Sequence, residues 1–301
     1  MDIKDFAKYI EGHATGKIMV GKSGADVYEL ERMYIAKYIR RDSTPSEAAW
    51  EAYRREAQFY SSCTSDRFPF LPKVHYCRRN EEEIQIIMEK YCPLNRNDLN
   101  DAMFEKIFDA LNCIHSMPVP EFLSETDAGA LQLEADEINR CLSGWRDVIK
   151  EHGDDFEERE LVKIGEHINR INRQAHIPGK MCCHGDFHLD NLLRDDKGNI
   201  IVCDWQNVHA GHGSGDISFF LSRLSADGVE ITREKAIRMY CRRSNAGVTE
   251  KEISVQMSLA NMNVSFIHWH NYLRGSSSAS VRPIWESMTE DAESLYRACG
   301  L

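Results

Sequence analysis

The sequence predicts an α+β fold in two lobes, the first rich in β-strands and the second larger and mainly helical. Three observations carry this. The chain has 301 residues, more than one hydrophobic core usually organises. Its strand-like segments gather in the first 90 residues. Beyond them, apolar residues recur mostly at helical spacing. The expected division is therefore residues 1–90 and residues 91–301, with Tyr91-Cys92-Pro93 at the boundary.

In the first part, residues 17–20 (KIMV) form a short strand candidate, followed by Gly21, Ser23 and Gly24 and a second strand at Val27–Leu30. Residues 33–39 alternate Met33, Ile35, Lys37 and Ile39 on one face, a strand period. Thr44-Pro45-Ser46-Glu47 reads as a helix start, with Thr44 as cap, Pro45 in the first turn and Glu47 closing a capping box. Ala49, Tyr53, Ala57 and Tyr60 then give the helix an apolar stripe. Residues 84–88 (IQIIM) read as a buried strand.

In the second part, Met103, Phe104, Ile107, Phe108, Leu111 and Ile114 mark an amphipathic helix over 101–116. Further helices are expected at 132–151, 157–175, 214–225, 232–243, 249–273 and 284–298. Residues 199–204 (NIIVCD) come after the turn Asp195-Asp196-Lys197-Gly198 and read as a hairpin strand.

Composition narrows the function classes. Apolar content of 42% and charged content of 28% are those of an ordinary globular chain. The formal net charge of −11 argues against a nucleic-acid partner, which requires basic surface. It suits a cationic small molecule, or solubility alone. No run of about 18 apolar residues is present, so no membrane-spanning helix is expected. The N-terminal MDIKDFAKYIEGH lacks the apolar centre of a signal peptide. The ten cysteines are scattered without a C-x-x-C pair, and Cys182 and Cys183 are adjacent. They read as reduced, mostly buried thiols of a cytoplasmic protein.

The chemistry concentrates in His184-Gly185-Asp186-Phe187-His188-Leu189-Asp190-Asn191 and the strand that ends at Asp204. Phosphoryl transfer needs a carboxylate to orient and deprotonate a hydroxyl, and oxygen ligands for Mg²⁺ on the phosphates. Asp186 suits the base, and Asn191 and Asp204 suit the metal. A histidine-metal reading of His184, His188, His209 and His212 lacks an H-x-H-x-D-H or H-E-x-x-H pattern.

The motif H-G-D-x-x-x-x-N, with Asp204-Trp205 after it, resembles the aminoglycoside phosphotransferase and choline kinase-like family, small-molecule relatives of protein kinases. Gly211 through Ile217 is similar to that family's G-D-x-x-x-D-[IL] segment. The resemblance implies a two-lobed protein kinase-like fold with the nucleotide between the lobes. It implies Asp186 as catalytic base, Asn191 and Asp204 on Mg²⁺, and His184 and Asp216 as supports of the catalytic loop. Gly21, Ser23 and Gly24 resemble the phosphate loop. Lys37 fits the lysine on the phosphates, Glu56 its ion-pair partner, and Ile35 a residue packing on the base. Met88, Glu89 and Tyr91 fit the hinge that meets the purine through its backbone.

Taken alone, Lys37 is a strand lysine and Glu56 a helix surface residue beside Arg54 and Arg55; motif order gives them their roles. The phosphate loop has two glycines instead of three, Gln206 stands in place of the glycine of D-F-G, and no A-P-E segment is present downstream. These departures point to a small hydroxyl acceptor in place of a protein. The implied donor is ATP or GTP. The implied acceptor is an aminoglycoside, with antibiotic resistance as the consequence, or else choline, ethanolamine, a sugar or another metabolite. A nucleotide-binding protein without catalysis would be marked by loss of a base or ligand, and Asp186, Asn191, Asp204 and Lys37 are all present. Asp190, just before Asn191, departs from the usual small residue; it reads as solvent-exposed, with a contact to substrate or metal as the alternative. Glu286, Glu290, Asp291 and Glu293 are acidic candidates for an acceptor cleft, or else an exposed helix face.

Overall fold

The computed structural model describes residues 3, 5–18, 25–123, 130–177, 181–242 and 247–301. In chain order the elements are α1 (Phe6–His13), β1 (Ala14–Ile18), β2 (Asp26–Leu30), β3 (Tyr34–Arg40), α2 (Glu47–Ser62), β4 (Val74–Arg79), β5 (Glu83–Glu89), β6 (Cys92–Pro93), α3 (Asp101–Ser116), α4 (Ala135–Ile149) and α5 (Glu158–Ala175). Next come β7 (Met181–Cys183), β8 (Leu192–Arg194), β9 (Ile200–Val202), β10 (His209–Gly211), α6 (Ser214–Ala226), α7 (Arg233–Cys241), α8 (Glu250–Val264), α9 (His270–Leu273) and α10 (Ser278–Cys299). Among the described residues no helix is long and apolar enough to cross a membrane.

The chain forms two compact units, each discontinuous in sequence. One comprises Met1–Ser124, Cys182–His209 and Phe219–Ala246; the other comprises Glu125–Met181, Ala210–Ser218 and Gly247–Leu301. Cys92 and Pro93 are a strand, not a free linker. They pair with Leu193 and Arg194 in a small sheet of order β6-β8-β9 inside the first unit.

That unit is built on a five-stranded antiparallel sheet of order β1-β2-β3-β5-β4. The strand period sorts its side chains between two faces. Val27, Lys37 and Ile86 lie in one cross-strand row, and Ile35 opposes Met88 in the same ladder. The other face carries Leu30, Ala36 and Ile87, covered by Ile3, Phe6 and Ile10. Helix α1 was not apparent from the apolar pattern of its first residues. Its signals were present: Asp5 caps it by accepting from the Lys8 amide, and Phe6 and Ile10 stand one turn apart.

Helix α2 starts at Glu47, with Ser46 as its cap. Thr44 instead donates to the Arg41 carbonyl (2.7 Å) and closes a 3₁₀ turn, while Glu47 pairs with Arg41 (2.7 Å). The expected capping box is therefore displaced by a competing local turn. The helix buries Trp50, Tyr53, Glu56, Ala57, Phe59 and Tyr60. The β8–β9 hairpin forms where expected: Asp195 Oδ1 accepts from the amides of Lys197 and Asn199, and Gly198 supplies a left-handed residue.

In the second unit, α4, α5, α8 and α10 enclose a core that includes Trp145, Ile164, Ile168, Phe266 and Trp285. The helix expected over 249–273 is interrupted by a π-helical turn, Ser265–Trp269. There the Phe266 carbonyl accepts from Trp145 Nε1 (3.1 Å). Helix α10 begins at Ser278, six residues before the expected 284, and carries Pro283 inside it, where the missing N–H removes one helical hydrogen bond. None of the ten cysteines forms a disulfide; four are buried, fewer than expected.

The β2–β3 turn has a cost that can be removed. Glu31 and Arg32 both adopt left-handed backbone, with φ of 50° and 62°, a conformation that disfavours side chains by about 1–2 kcal/mol per residue. Arg32→Gly is expected to raise stability by about 1 kcal/mol. A urea midpoint tracked by the fluorescence of Trp50 and Trp205 measures it, and a fall in midpoint would refute the turn assignment.

Candidate active site

Three chain segments of the first unit converge: strand β3, helix α2 and the loops flanking β8 and β9. Lys37 Nζ donates to Glu56 Oε1 (2.8 Å) and to Asp204 Oδ1 (3.1 Å). Glu56 is fully buried and the Lys37 side chain is 15% exposed. Burial alone would lower the lysine's pKa, but the charges of Asp204 and Glu56 outweigh it, so the ammonium is held well above its ordinary range. For Asp204, burial raises the pKa, while Lys37 and the bond from Gln206 Nε2 (2.6 Å, to Oδ1) lower it further. Its carboxylate therefore ionises below the ordinary value of 3.8. Glu56 goes the other way, because its burial exceeds what Lys37 returns.

Asp204 sits in left-handed backbone (φ 67°), and its neighbours Trp205 and Gln206 hold it there. Trp205 is fully buried, stacks on Phe59 of α2 with centroids 4.2 Å apart, and donates to the Val202 carbonyl (2.8 Å). Arg55 of α2 donates to the Gln206 carbonyl (3.1 Å). Helix α2 thus supplies the partner of Lys37 and also holds the segment that carries Asp204. Neither Arg55 nor Gln206 was expected as a site residue: Arg55 entered only as a charged neighbour of Glu56, and Gln206 only as a departure from the glycine of D-F-G.

The catalytic-loop candidates are braced from beneath. His184 Nδ1 accepts the Asp186 amide (3.2 Å), so Nε2 is the nitrogen that donates to the Cys203 carbonyl (2.9 Å). Gly185 has φ 79°, and a Cβ there would stand 2.3 Å from the Asn207 carbonyl oxygen, which excludes other residues. Asn191 Nδ2 donates to Asp186 through both its carbonyl (2.9 Å) and its Oδ2 (3.2 Å). The Cys203 amide donates to the Asn191 carbonyl (3.0 Å), which ties the two expected metal ligands to neighbouring backbone. Asn191 and Asp204 offer hard oxygen donors of the kind Mg²⁺ takes, and the Asn191 amide nitrogen is turned to Asp186, leaving its oxygen as the metal-side atom. The residues fit that ion.

Of the other expected residues, Ile35 pairs with Met88 across the β3–β5 ladder. The hinge backbone is partly committed: the Glu89 amide donates to the Lys73 carbonyl (2.9 Å) and the Lys90 amide to the Met33 carbonyl (2.8 Å). The Tyr91 phenol accepts from the Lys73 amide (3.0 Å) and donates to Glu89, and burial raises its pKa to about 12. Any hinge contact from Tyr91 is therefore through its backbone. Glu89 also pairs with Lys73 and His75. Gly21, Ser23 and Gly24 lie outside the described residues. Asp216 is buried in the first turn of α6. Asp190 is 76% exposed, as expected. Glu286 is exposed, whereas Asp291 is buried in α10 and so is not part of an exposed acidic row.

Comparison with known proteins agrees with this geometry. The family model described as "Phosphotransferase enzyme family" matches residues 22–250. No curated protein matches in sequence. Among solved structures, the ADP-bound aminoglycoside phosphotransferase APH(2'')-Ib is 14% identical with a TM-score of 0.56, covering 98% of this chain and 99% of its own. A GDP complex of an aminoglycoside 2'-phosphotransferase variant is 12% identical with a TM-score of 0.57, at 98% and 97% coverage. An ethanolamine kinase from Plasmodium vivax is 13% identical with a TM-score of 0.52, at 94% and 84% coverage. At these identities the likeness is one of fold: an antiparallel sheet with a mainly helical remainder after it, the protein kinase-like class.

Removing the shared cation tests the electrostatics. Lys37→Met leaves the buried Glu56 without its counter-charge, so a loss of about 3 kcal/mol or more is expected. The variant's stability should then rise as pH falls from 7 to about 5, because Glu56 takes up a proton more readily folded than unfolded. In the parent chain Asp204 acts oppositely: its contribution is present above 3.8 and lost as pH falls through its lower folded value. Chemical denaturation at several pH values measures both, and a pH-independent Lys37→Met variant contradicts the assignment.

Proposed function

Because the chain belongs to the phosphotransferase enzyme family, we propose that it transfers the γ-phosphate of ATP or GTP to a hydroxyl of a small molecule, an aminoglycoside being the acceptor class. The observation that carries this is Lys37 clamped between Glu56 and Asp204 in the unit that also holds Asp186 and Asn191. Residues 1–90 take the nucleotide-binding role, with Gly21, Ser23, Gly24, Ile35, Met88, Glu89 and Tyr91 around the nucleotide. Residues 91–301 take the catalytic and acceptor-binding role.

In this mechanism the Lys37 ammonium stays charged and holds the donor's phosphate oxygens. Glu56 and the β3–α2 packing fix where that ammonium stands. The Asp186 carboxylate, 30% exposed, accepts the hydroxyl proton and orients the oxygen for in-line attack. Asn191 and Asp204 would hold Mg²⁺, which supplies charge neutralisation on the phosphates when bound. His184 supports the loop, and the family resemblance gives Asp216 the same role. The positive Lys37 favours a phosphate chain over a neutral ligand, and the ionised Asp204 suits the cation that would accompany it.

The aminoglycoside class rests on the family resemblance and on the net charge of −11, which favours a polycation. Amino alcohols and sugars are the competing acceptors of the same chemistry.

Asp186→Asn is expected to lower kcat by about 10²–10⁴-fold with an unchanged circular dichroism spectrum. Turnover at the parent rate would remove Asp186 as the base. Coupled ADP and GDP release should be stimulated by an aminoglycoside in a panel that also holds amino alcohols and sugars. Stimulation only by the latter would reassign the acceptor and leave the phosphotransferase reading standing.

A further inference from the structure

His188 and Asp190 lie inside the catalytic loop but have no part in the chemistry above. Their geometry gives them one. Asn191 Nδ2 donates to Asp186 O (2.9 Å) and Oδ2 (3.2 Å) and also lies 3.2 Å from His188 Nε2. A primary amide has two hydrogens. Three acceptors therefore share its two hydrogens, and His188 Nε2 is one of the three. Because Asn191 Nδ2 is a donor, His188 Nε2 must be the acceptor, and the ring proton sits on Nδ1. The Asp190 carboxylate stands 3.5 Å from that Nδ1, where its charge favours the proton there, and Arg223 stands 3.8 Å behind the same Asp190 oxygen. The His188 side chain is 14% exposed, with the Phe219 ring edge-on at 5.9 Å. The remaining charged neighbour is Asp186 Oδ2, 3.6 Å from Nε2 and beyond hydrogen-bonding range.

We propose that His188 is a positioning residue: beside the Asp190 carboxylate, it accepts from the Asn191 amide and so keeps the Asn191 oxygen turned away from Asp186. Rotating that amide by half a turn would set its oxygen against three acceptors, the Asp186 carbonyl, the Asp186 carboxylate and His188 Nε2. With His188 in place the amide has a single satisfied orientation. Without its imidazole the amide loses one of its three acceptors, and the energy gap to the wrong orientation narrows. The arrangement parallels the outer-shell groups that orient metal ligands generally. It also accounts for Asp190, whose exposure in isolation suggested no role.

The inference rests on the phosphotransferase reading, and binding measurements separate the two. The probe is Mn²⁺ in the presence of ADP, with free Mn²⁺ read by electron paramagnetic resonance. ADP binding without metal and thermal unfolding are measured in parallel. His188→Leu removes the acceptor and is expected to weaken Mn²⁺ binding by about 10-fold or more, with metal-free ADP affinity and unfolding unchanged. His188→Gln places an amide oxygen near the position of Nε2 and should stay near the parent. His188→Asn, whose amide reaches only the Nδ1 position, should resemble His188→Leu. Parent-like Mn²⁺ binding in His188→Leu overturns the proposal. So does equal loss in all three variants together with loss of metal-free ADP binding, which marks general damage to the loop. A parent chain that binds neither ADP nor Mn²⁺ overturns the phosphotransferase reading itself, and this inference with it.

Discussion

One ammonium group organises the first unit. Lys37 sits between Glu56 and Asp204, on a strand, facing a helix and a loop from residues far along the chain. A cation so little exposed is tolerable only because two carboxylates meet it. Each carboxylate in turn needs the lysine: Glu56 is fully buried, and Asp204 sits in an unfavourable left-handed backbone. The group that would touch phosphate is therefore also a folding constraint. Binding and stability are coupled through it, so changes at Lys37 act on both.

The surrounding contacts convert this charge cluster into a rigid frame. Phe59 stacks on Trp205, and Arg55 caps the Gln206 carbonyl, so α2 grips the Asp204 segment by an aromatic face and a hydrogen bond. His184 links the Asp186 amide to the Cys203 carbonyl, and Asn191 links Asp186 to Cys203 through side chain and backbone. The expected base and both expected metal ligands are thus parts of one hydrogen-bonded assembly. Positioning of this kind is most of what phosphoryl transfer asks of a protein.

Much of the site was legible in the sequence because its parts are short-range. His184 to Asn191 is a continuous run, and Gly185 can be recognised where backbone must pass close to backbone. The hairpin before Asp204 was visible in Asp195 and Gly198, whose side-chain and backbone preferences act within four residues. Lys37 and Glu56 were legible only as members of an ordered series, since nothing local distinguishes either from a surface charge. Helix α1 and strand β4 escaped: α1 is a short helix whose apolar face is completed by the sheet, and β4 alternates weakly because its side chains are half-buried.

The amino-acid sequence by itself determined the groups on offer: a carboxylate suited to a base, oxygen donors suited to a metal and a strand lysine, in the order of a phosphotransferase. It also determined strands β2, β3, β5 and β9 and most helices, because hydrophobic period and turn residues act locally. Tertiary structure decided which groups are charged, where they point and what they lean on. The opposite pKa shifts of Glu56 and Asp204 arise from how deeply each is buried around one lysine. The roles of Arg55, Gln206 and His188 depend on partners brought near by folding, in two of the three cases from distant parts of the chain. Burial, hydrogen-bond direction and backbone handedness are properties of the packed chain, and a linear sequence does not display them.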